Sequence, residues 1–289
     1  MSPAGATPGG LASARSMLFA PAGDEHKLRK ALGGAADAVV ADLEDATAPD
    51  EKGAARATVA AVFADVGPQR TCGVRVNPPG TEWFDEDLEL AGRLALDFLM
   101  LPKATPDAVA ALGEAGPPVV AIVETADGLR LAYETATALR VAALALGTHD
   151  LGAELRTSPR PDGLEVLYAR SKVVADSAAA RRRPPFDTVY LDVRDRAGLE
   201  EECLLARTLG FRGKLCIHPG QLETVNRVFA PDDEELRWAR RVLAAYEQGL
   251  REGRGAVALD GRMVDMPIVR RAERLLAEAE LWTGGTGAE

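Results

Sequence analysis

Aromatic residues and positive charge are both scarce in this chain of 289 residues. The formal net charge is −10, and this argues against broad nucleic-acid binding, because a phosphate backbone needs a basic surface. A phosphorylated small ligand is not excluded, since it needs only a few local Lys or Arg side chains. Aromatic residues make up only 5% of the chain, whereas Ala and Gly are abundant. This composition suits short helices packed closely on a sheet.

Long apolar runs and paired cysteines are also missing from the sequence. No apolar stretch approaches the roughly 18 residues needed to span a bilayer, and Gly/Ala/Pro-rich residues 1–14 lack the pattern of a signal peptide. Cys72, Cys203 and Cys216 are widely spaced and form no metal-type pair. This spacing predicts reduced thiols and a cytoplasmic protein. We expect residues 1–14 and 284–289 to be disordered.

Short apolar segments occur eight times along the chain, and most of them end in a residue able to do chemistry. They are residues 16–21, 38–45, 73–77, 97–103, 119–124, 142–150, 188–192 and 214–218. Helix-length amphipathic segments lie between them, and this alternation is typical of parallel βαβ units. Eight such units predict a (β/α)₈ TIM barrel over residues 15–228, with the polar strand ends together at one rim.

The pattern changes after residue 228. Residues 231–249 form a strongly predicted helix, and a flexible glycine-rich link follows up to residue 261. Residues 265–268 then precede a last helix that runs to about residue 281. We predict a C-terminal helical extension over residues 229–283. Such an extension either covers the barrel mouth or a neighbouring subunit as a lid, or packs on the outside of the barrel.

Carboxylates gather at the predicted rim. Glu124 ends the fifth strand and Asp150 follows the sixth, while Asp42, Glu44 and Asp45 come from the second. An acidic rim repels itself unless a cation neutralises it, and oxygen ligands without a Cys or His pair favour Mg²⁺. We predict Glu124 and Asp150 as direct ligands, with the other three acids around them. The alternative for any single acid is a helix cap or an ion pair.

Two basic residues belong to the same rim. Arg75 lies within an apolar strand, and a buried guanidinium is costly unless a carboxylate or phosphate pairs with it. It either grips a substrate carboxylate through a two-pronged hydrogen bond or forms a structural ion pair with an acid such as Asp42. Lys103 follows the fourth strand, where neighbouring acids favour an ion pair over a Schiff-base role.

Five other polar residues leave alternatives open. His218 either positions substrate or closes a turn. Lys27 and Lys30 lie one helical turn apart, and they either contact a phosphate or form a solvated face. His149 and Asp192 fit a functional or a structural role equally well.

Several motifs together resemble the citrate lyase beta-subunit-like family of CoA-ester lyases, within the HpcH/HpaI aldolase group. The motifs are residues 15–21 (RSMLFAP), 42–46 (DLEDA), 74–77 (VRVN), 101–103 (LPK), 124–126 (ETA), 147–151 (GTHDL), 213–221 (GKLCIHPGQ) and 260–267 (DGRMVDMP). The resemblance spans residues 15–280. It implies a barrel of the pyruvate/phosphoenolpyruvate type that makes or breaks a bond between an acyl-CoA enolate and a 2-oxo acid, using Mg²⁺.

The resemblance also implies roles for individual residues. Glu124 and Asp150 would hold the metal and, through it, the 2-oxo acid, with His149 beside them where relatives often have Glu. Arg75 would stabilise negative charge on the reacting oxygens. The remaining implied roles are contacts to CoA by Phe19, Lys30, Ile217 and His218, and acid–base catalysis across a subunit boundary of a trimer by Asp265. Asp24 replaces an Arg that contacts CoA in malyl-CoA lyases.

The resulting functional prediction is a carbon–carbon lyase that splits citryl-CoA into acetyl-CoA and oxaloacetate, or acts on malyl- or citramalyl-CoA. The first alternative is an aldolase of the same fold that does not use CoA and cleaves a free 2-oxo acid. The second is a subunit that is inactive without acyl-carrier partner subunits. The predicted partners are thus a small 2-oxo acid, an acyl-CoA and further copies of the chain, with no nucleic acid and no membrane.

Overall fold

The computed structural model describes residues 10–283, which divide into two compact units after Phe229. Residues 1–9 and 284–289, which we expected to be disordered, lie outside the described residues. The expectation is wrong for residues 10–14. The Ser13 amide donates to the Gly10 carbonyl at 3.0 Å, and Ala14 is fully buried among apolar side chains of the sheet.

Seven parallel strands form the sheet of the first unit, in the order β6-β5-β4-β3-β2-β1-β7. They are β1 (Ser16–Pro21), β2 (Ala38–Asp42), β3 (Thr71–Arg75), β4 (Phe98–Leu101), β5 (Val119–Val123), β6 (Val141–Leu146) and β7 (Lys214–Cys216). Most strand residues are small or β-branched and are buried on both faces, as expected for a parallel sheet covered by helices. Seven of the eight predicted strands are thus confirmed.

The seventh predicted strand, residues 188–192, is wrong. Only Phe186 and Asp187 occupy the space between β6 and β7, as isolated parallel bridges. The backbone of Phe186 bonds to Leu144 and Leu146, and the backbone of Asp187 bonds to Gly213 and Leu215. The sheet is therefore curled so that two residues link its edge strands. A regular eight-stranded barrel is not formed by the described residues.

Ten helices accompany these strands in the described part of the first unit. They are α1 (Glu25–Leu32), α2 (Lys52–Ala64), α3 (Phe84–Arg93), α4 (Pro106–Ala110), α5 (Ala126–Arg130), α6 (Ala132–Thr137), α7 (Thr148–Leu155), α8 (Leu167–Ala179), α9 (Arg196–Leu209) and α10 (Leu222–Phe229). Local signals set several starts: Thr105 caps α4 ahead of Pro106, and Asp24 caps α1 by accepting from the Lys27 amide. Alternating strand residues then divide the core in two, since Met17 and Phe19 face one layer and Leu18 and Ala20 the other.

The second unit contains two helices and a hairpin. The helices are α11 (Asp233–Arg251) and α12 (Met266–Thr283), and the hairpin pairs β8 (Val257–Leu259) with β9 (Arg262–Val264). The two predicted helices are confirmed, but the end of the predicted link forms the first strand and the turn of this hairpin. The turn has positive φ at both Asp260 and Gly261. No helix among residues 10–283 is long and apolar enough to cross a membrane.

Candidate active site

Three charged side chains lie at the carboxyl ends of neighbouring strands. Asp42 is the last residue of β2, Arg75 is the last residue of β3, and the sheet register places them opposite each other. Glu124 directly follows β5. Asp42 and Glu124 are only 2% and 3% exposed, so their charges depend on partners within the protein. The strand ends therefore form a buried polar centre, as the sequence predicted.

Arg75 is held by Asp42 through the two-pronged bond that Arg and carboxylate form best. Its Nε donates to Oδ1 at 2.7 Å and its Nη2 donates to Oδ2 at 2.6 Å. Asp42 also accepts from the amide of Glu44 at 3.0 Å. Burial acts against the charged guanidinium, but the bond to Asp42 prevails and raises the pKa of Arg75. Of the two alternatives for Arg75, the structure shows the ion pair, because the two-pronged bond is made to Asp42 and is not left open for a substrate.

Glu44 joins this pair to Lys103. Its Oε2 lies 2.7 Å from Nη1 of Arg75, and its Oε1 accepts from Nζ of Lys103 at 2.5 Å. Burial raises the pKa of Glu44, although both cations act in the opposite direction. Burial lowers the pKa of Lys103, but the bond to Glu44 outweighs it and the net shift is upward. Lys103 is thus an ion-pair partner and not a neutral amine suited to Schiff-base chemistry.

The backbone of Lys103 supports the metal-ligand candidate Glu124. Lys103 has φ of 48°, a left-handed conformation that is costly for a residue with a Cβ. In this conformation its amide donates to Oε1 of Glu124 at 2.8 Å. One oxygen of the buried carboxylate is therefore fixed by the main chain.

Glu124 and Asp150 line the same cavity, which has a volume of about 440 Å³. Asp150 lies in the first turn of α7, directly after β6. Burial raises the pKa of Glu124 to about 7, and the nearby charges of Glu44 and Asp150 act in the same direction. A cation between the two carboxylates would relieve this repulsion.

The donor set at this position fits Mg²⁺. It consists of hard carboxylate oxygens, and residues 10–283 contain no group of three or more His, Cys, Asp or Glu arranged to hold a metal. Mg²⁺ typically takes one or two carboxylates and completes its octahedron with water and substrate oxygens. Gly147 leaves room for the Glu124 side chain, because a Cβ at residue 147 would lie 2.7 Å from both Cβ and Oε2 of Glu124.

Part of the cavity lining is apolar. Val189, Leu191, Leu215 and Ile217 contribute to it, and the ring of Phe19 lies 4.8 Å from the guanidinium carbon of Arg75. The cavity therefore combines charged side chains with an apolar wall. A ligand with an acid group and an apolar arm matches this division.

Several predicted site residues have a different structural setting. Lys30 is exposed on α1, and neither Lys30 nor His218 is among the described residues that line the cavity. His218 accepts from the Gly220 amide at 3.0 Å, which is the turn-closing alternative. Nζ of Lys27 lies 2.9 Å from the carboxylate of Asp24, the residue that caps α1. Asp24 therefore has a structural role at the start of its own helix.

His149 and Asp192 also make local contacts. His149 lines the cavity, with its Nε2 3.4 Å from the Val189 carbonyl. Asp192 is exposed and accepts from the Arg194 amide at 2.9 Å. Asp45 is exposed and its nearest oxygen is 3.7 Å from Arg75. Asp265 belongs to the second unit, where its carbonyl accepts the Val269 amide at the start of α12.

Two buried residues that support the acidic loop after β2 were missed from the sequence. Lys52 donates from Nζ to the carbonyls of Leu43 and Glu44 at 2.7 and 3.0 Å, and burial lowers its pKa. Asn77 donates to the same Leu43 carbonyl at 3.0 Å. A lysine on an amphipathic helix normally faces solvent, so Lys52 gave no signal. Asn77 is the polar last residue of the predicted strand 73–77, and that position was the available clue.

Comparison with known proteins places the chain in a family. Residues 15–219 match the family model of the HpcH/HpaI aldolase/citrate lyase proteins. The chain belongs to this family. It is 41% identical over 272 residues to a (3S)-malyl-CoA thioesterase of Cereibacter sphaeroides, covering 92% of this chain and 94% of the relative. It is 35% identical over 279 residues to the citrate lyase subunit beta of Leuconostoc mesenteroides, covering 91% and 92%.

A solved structure supports the same assignment. The crystal structure of CitE from Mycobacterium tuberculosis, in complex with magnesium, acetoacetate and coenzyme A, matches with a TM-score of 0.81 and 38% identity. The match covers 93% of this chain and 99% of that one. The resemblance seen in the motifs is confirmed, and the protein is an enzyme of the citrate lyase beta-subunit-like group.

Proposed function

We propose that the protein is a Mg²⁺-dependent carbon–carbon lyase that acts on the CoA ester of a 3-hydroxy acid. The substrates are citryl-CoA, which gives acetyl-CoA and oxaloacetate, or its malyl- or citramalyl-CoA counterparts. One observation carries the proposal: Glu124 and Asp150 share a cavity with a carboxylate-held Arg75 and with an apolar wall. This division matches an acid with a thioester arm.

The chain's own residues perform binding and charge stabilisation. Mg²⁺, held by Glu124 and Asp150, would supply Lewis acidity to the carboxylate and carbonyl oxygens of the 2-oxo acid. Arg75 is fixed on one side by Asp42, and it directs positive charge into the cavity. A cation held in place before reaction stabilises developing negative charge at little reorganisation cost. Lys103 and Glu44 keep that guanidinium in position.

The bond cleavage requires proton transfers in addition. The substrate hydroxyl loses its proton, the bond between C2 and C3 breaks, and the enolate of the acyl-CoA takes up a proton on carbon. We assign the acid–base role to Asp265 of a neighbouring copy of the chain, acting across a subunit boundary as the family resemblance implies. His149 lies beside Asp150 and contributes to substrate binding in the same cavity.

Thioester hydrolysis is the second candidate function. It is favoured by the 41% identity to a (3S)-malyl-CoA thioesterase, compared with 35% to a citrate lyase subunit beta. Hydrolysis would release malate and free CoA from malyl-CoA, whereas the lyase would release glyoxylate and acetyl-CoA. The same cavity would bind the substrate in both cases, so the products decide between them.

The experiment supplies purified protein and Mg²⁺ with citryl-CoA and (3S)-malyl-CoA, and it quantifies acetyl-CoA, 2-oxo acid and free thiol. Equal amounts of acetyl-CoA and 2-oxo acid support the lyase. Free CoA with a hydroxy acid would support the thioesterase instead. Calorimetric titration of oxaloacetate and acetyl-CoA addresses the aldolase alternative, which requires binding of the oxo acid but none of any CoA ester.

Mg²⁺ affinity is expected to depend on pH through Glu124. Its pKa is raised to about 7, so the carboxyl binds a proton below that pH and the proton competes with the metal. The dissociation constant for Mg²⁺ should rise about tenfold for each pH unit below 7 and level off above it. Calorimetric titrations at pH 6, 7 and 8 measure this slope. An affinity that stays constant across this range would contradict Glu124 as a ligand.

The Asp265→Asn variant is expected to slow turnover far more than it weakens binding of the CoA ester. The amide keeps the shape of the side chain but cannot exchange a proton, and general acid–base catalysis contributes about 10²–10⁴-fold. Comparing kcat with the dissociation constant for acetyl-CoA separates the two effects. Exposed Asp260, in the same unit, provides the matched Asn control. Unchanged kcat in Asp265→Asn would remove this residue from the mechanism.

A further inference from the structure

One wall of the cavity lacks the backbone hydrogen bonds between neighbouring strands that support the other walls. Thr188, Val189 and Leu191 line the cavity, but parallel pairing to the edge strands ends at Asp187. On the β6 side, Thr148 replaces the ladder by donating from Oγ1 to Oγ1 of Thr188 at 3.0 Å. Side chains therefore determine where this wall lies.

Gln221 performs the same task on the β7 side. Its Oε1 accepts from the amides of Ile217 and His218 at 2.9 and 3.1 Å, and its Nε2 donates to the Tyr190 carbonyl at 2.7 Å. The side chain is 2% exposed. All three bonds are to main-chain atoms, so one buried amide joins the segment after β7 to the segment after Asp187.

These two segments carry the apolar wall of the cavity. Ile217 is bonded directly to Gln221, and Leu191 follows Tyr190 in the chain. Leu191 is 60% exposed and Ile217 is 39% exposed, which leaves both apolar side chains accessible to a ligand. The Gln221 amide joins the two segments that carry them. None of the charged residues that line the cavity bonds to Gln221 in the described part of the chain.

We propose that Gln221 is a positioning residue that sets the place of the apolar wall of the cavity, and thereby the affinity for the thioester arm of the substrate. The inference rests on the proposed CoA-ester function. The acid group of a CoA ester would bind the Mg²⁺ that Glu124 and Asp150 would hold, beside the positive charge of Arg75, and this would leave the apolar wall for the arm. Displacing either segment by about 1 Å would loosen that contact without altering the charged residues of the cavity.

The test compares full-length wild type with Gln221→Met, which keeps the length of the side chain but removes all three bonds. Acetyl-CoA and oxaloacetate are titrated separately by calorimetry with Mg²⁺ present. We expect the dissociation constant for acetyl-CoA to rise about tenfold and that for oxaloacetate to change less than twofold. Gln69→Met, at an exposed position, is the matched control. Gln221→Glu keeps the acceptor for Ile217 and His218 but loses the bond to Tyr190, and an intermediate loss is expected.

Each outcome has a distinct meaning. Equal weakening of both ligands together with a lower Tm would overturn the proposal, since it indicates a general structural role. Unchanged acetyl-CoA binding in Gln221→Met would overturn it as well. If that variant does not fold, Leu191→Ala tests the same wall, and unchanged acetyl-CoA affinity there overturns the proposal. A wild type that binds oxaloacetate but no CoA ester would instead overturn the proposed function, and this inference with it.

Discussion

The Glu124→Gln variant is expected to lose Mg²⁺-dependent turnover by about 10²–10³-fold or more, while its fold stays intact. Gln has the same shape and still offers an oxygen to the Lys103 amide, which now donates to Oε1 of Glu124 at 2.8 Å. It cannot supply the negative charge that binds the metal. The wild-type carboxyl is buried and has a pKa of about 7. A neutral amide in its place removes the free-energy cost of burying a charged group. We therefore expect the Tm of the variant to equal or exceed that of the wild type.

The measurement combines kcat/KM at saturating Mg²⁺ with a thermal unfolding curve. Exposed Glu134 on α6 gives the matched control, Glu134→Gln. Asp150→Asn should show a similar loss of turnover, because it removes the other charged ligand. Full activity of wild type in excess chelator, or of either ligand variant at low Mg²⁺, would contradict the metal assignment.

The charged residues of the cavity could be predicted from sequence because they stand in or next to buried strands. Asp42 and Glu124 close apolar runs, Arg75 interrupts one, and parallel strands bring such positions together. Local sequence could not decide what Arg75 binds. A substrate and Asp42 offer the same carboxylate chemistry, and only the register of β2 and β3 places Asp42 opposite Arg75.

The error at residues 188–192 has a physical cause. The segment Thr-Val-Tyr-Leu-Asp has the β-branched and aromatic content of a strand. In the structure, hydrogen bonds from side chains far away in sequence, Thr148 and Gln221, replace the sheet ladder there. Partners separated by about 30 or 40 residues leave no trace in a local pattern, so propensity alone predicted a regular strand.

The link between the two edge strands depends on a buried ion network that was also not predicted from the sequence. Asp187 is fully buried, and it accepts from Nε and Nη2 of Arg170 at 3.0 and 3.2 Å and from Nζ of Lys214 at 2.8 Å. Glu202 pairs with the same two cations at 3.3 and 2.5 Å. The four residues come from α8, α9, β7 and the segment between the edge strands. They connect the helices to the position where an eighth strand would lie.

The Asp187→Asn variant is expected to lose about 3–5 kcal/mol of unfolding free energy. Arg170 and Lys214 are 1% and 0% exposed, and the variant would leave two buried cations with only Glu202 as a charged partner. Two bonds of Asp187 are part of a bidentate pair, which an amide cannot reproduce. Denaturant unfolding measures the loss directly. For a unit of this size, it corresponds to a drop in Tm of roughly 6–20 °C.

Asp85→Asn, at an exposed position on α3, is the matched control and should change stability by less than about 0.5 kcal/mol. A second variant tests whether the cost comes from uncompensated charge. The double variant Asp187→Asn, Lys214→Met removes one of the buried cations that lose their carboxylate partner. It should recover part of the lost unfolding free energy, because an unpaired buried charge is the main cause of the destabilisation. If the single variant were as stable as wild type, the backbone bonds of Asp187 alone would be enough to hold the edge strands. The ion network would then have no part in closing the sheet.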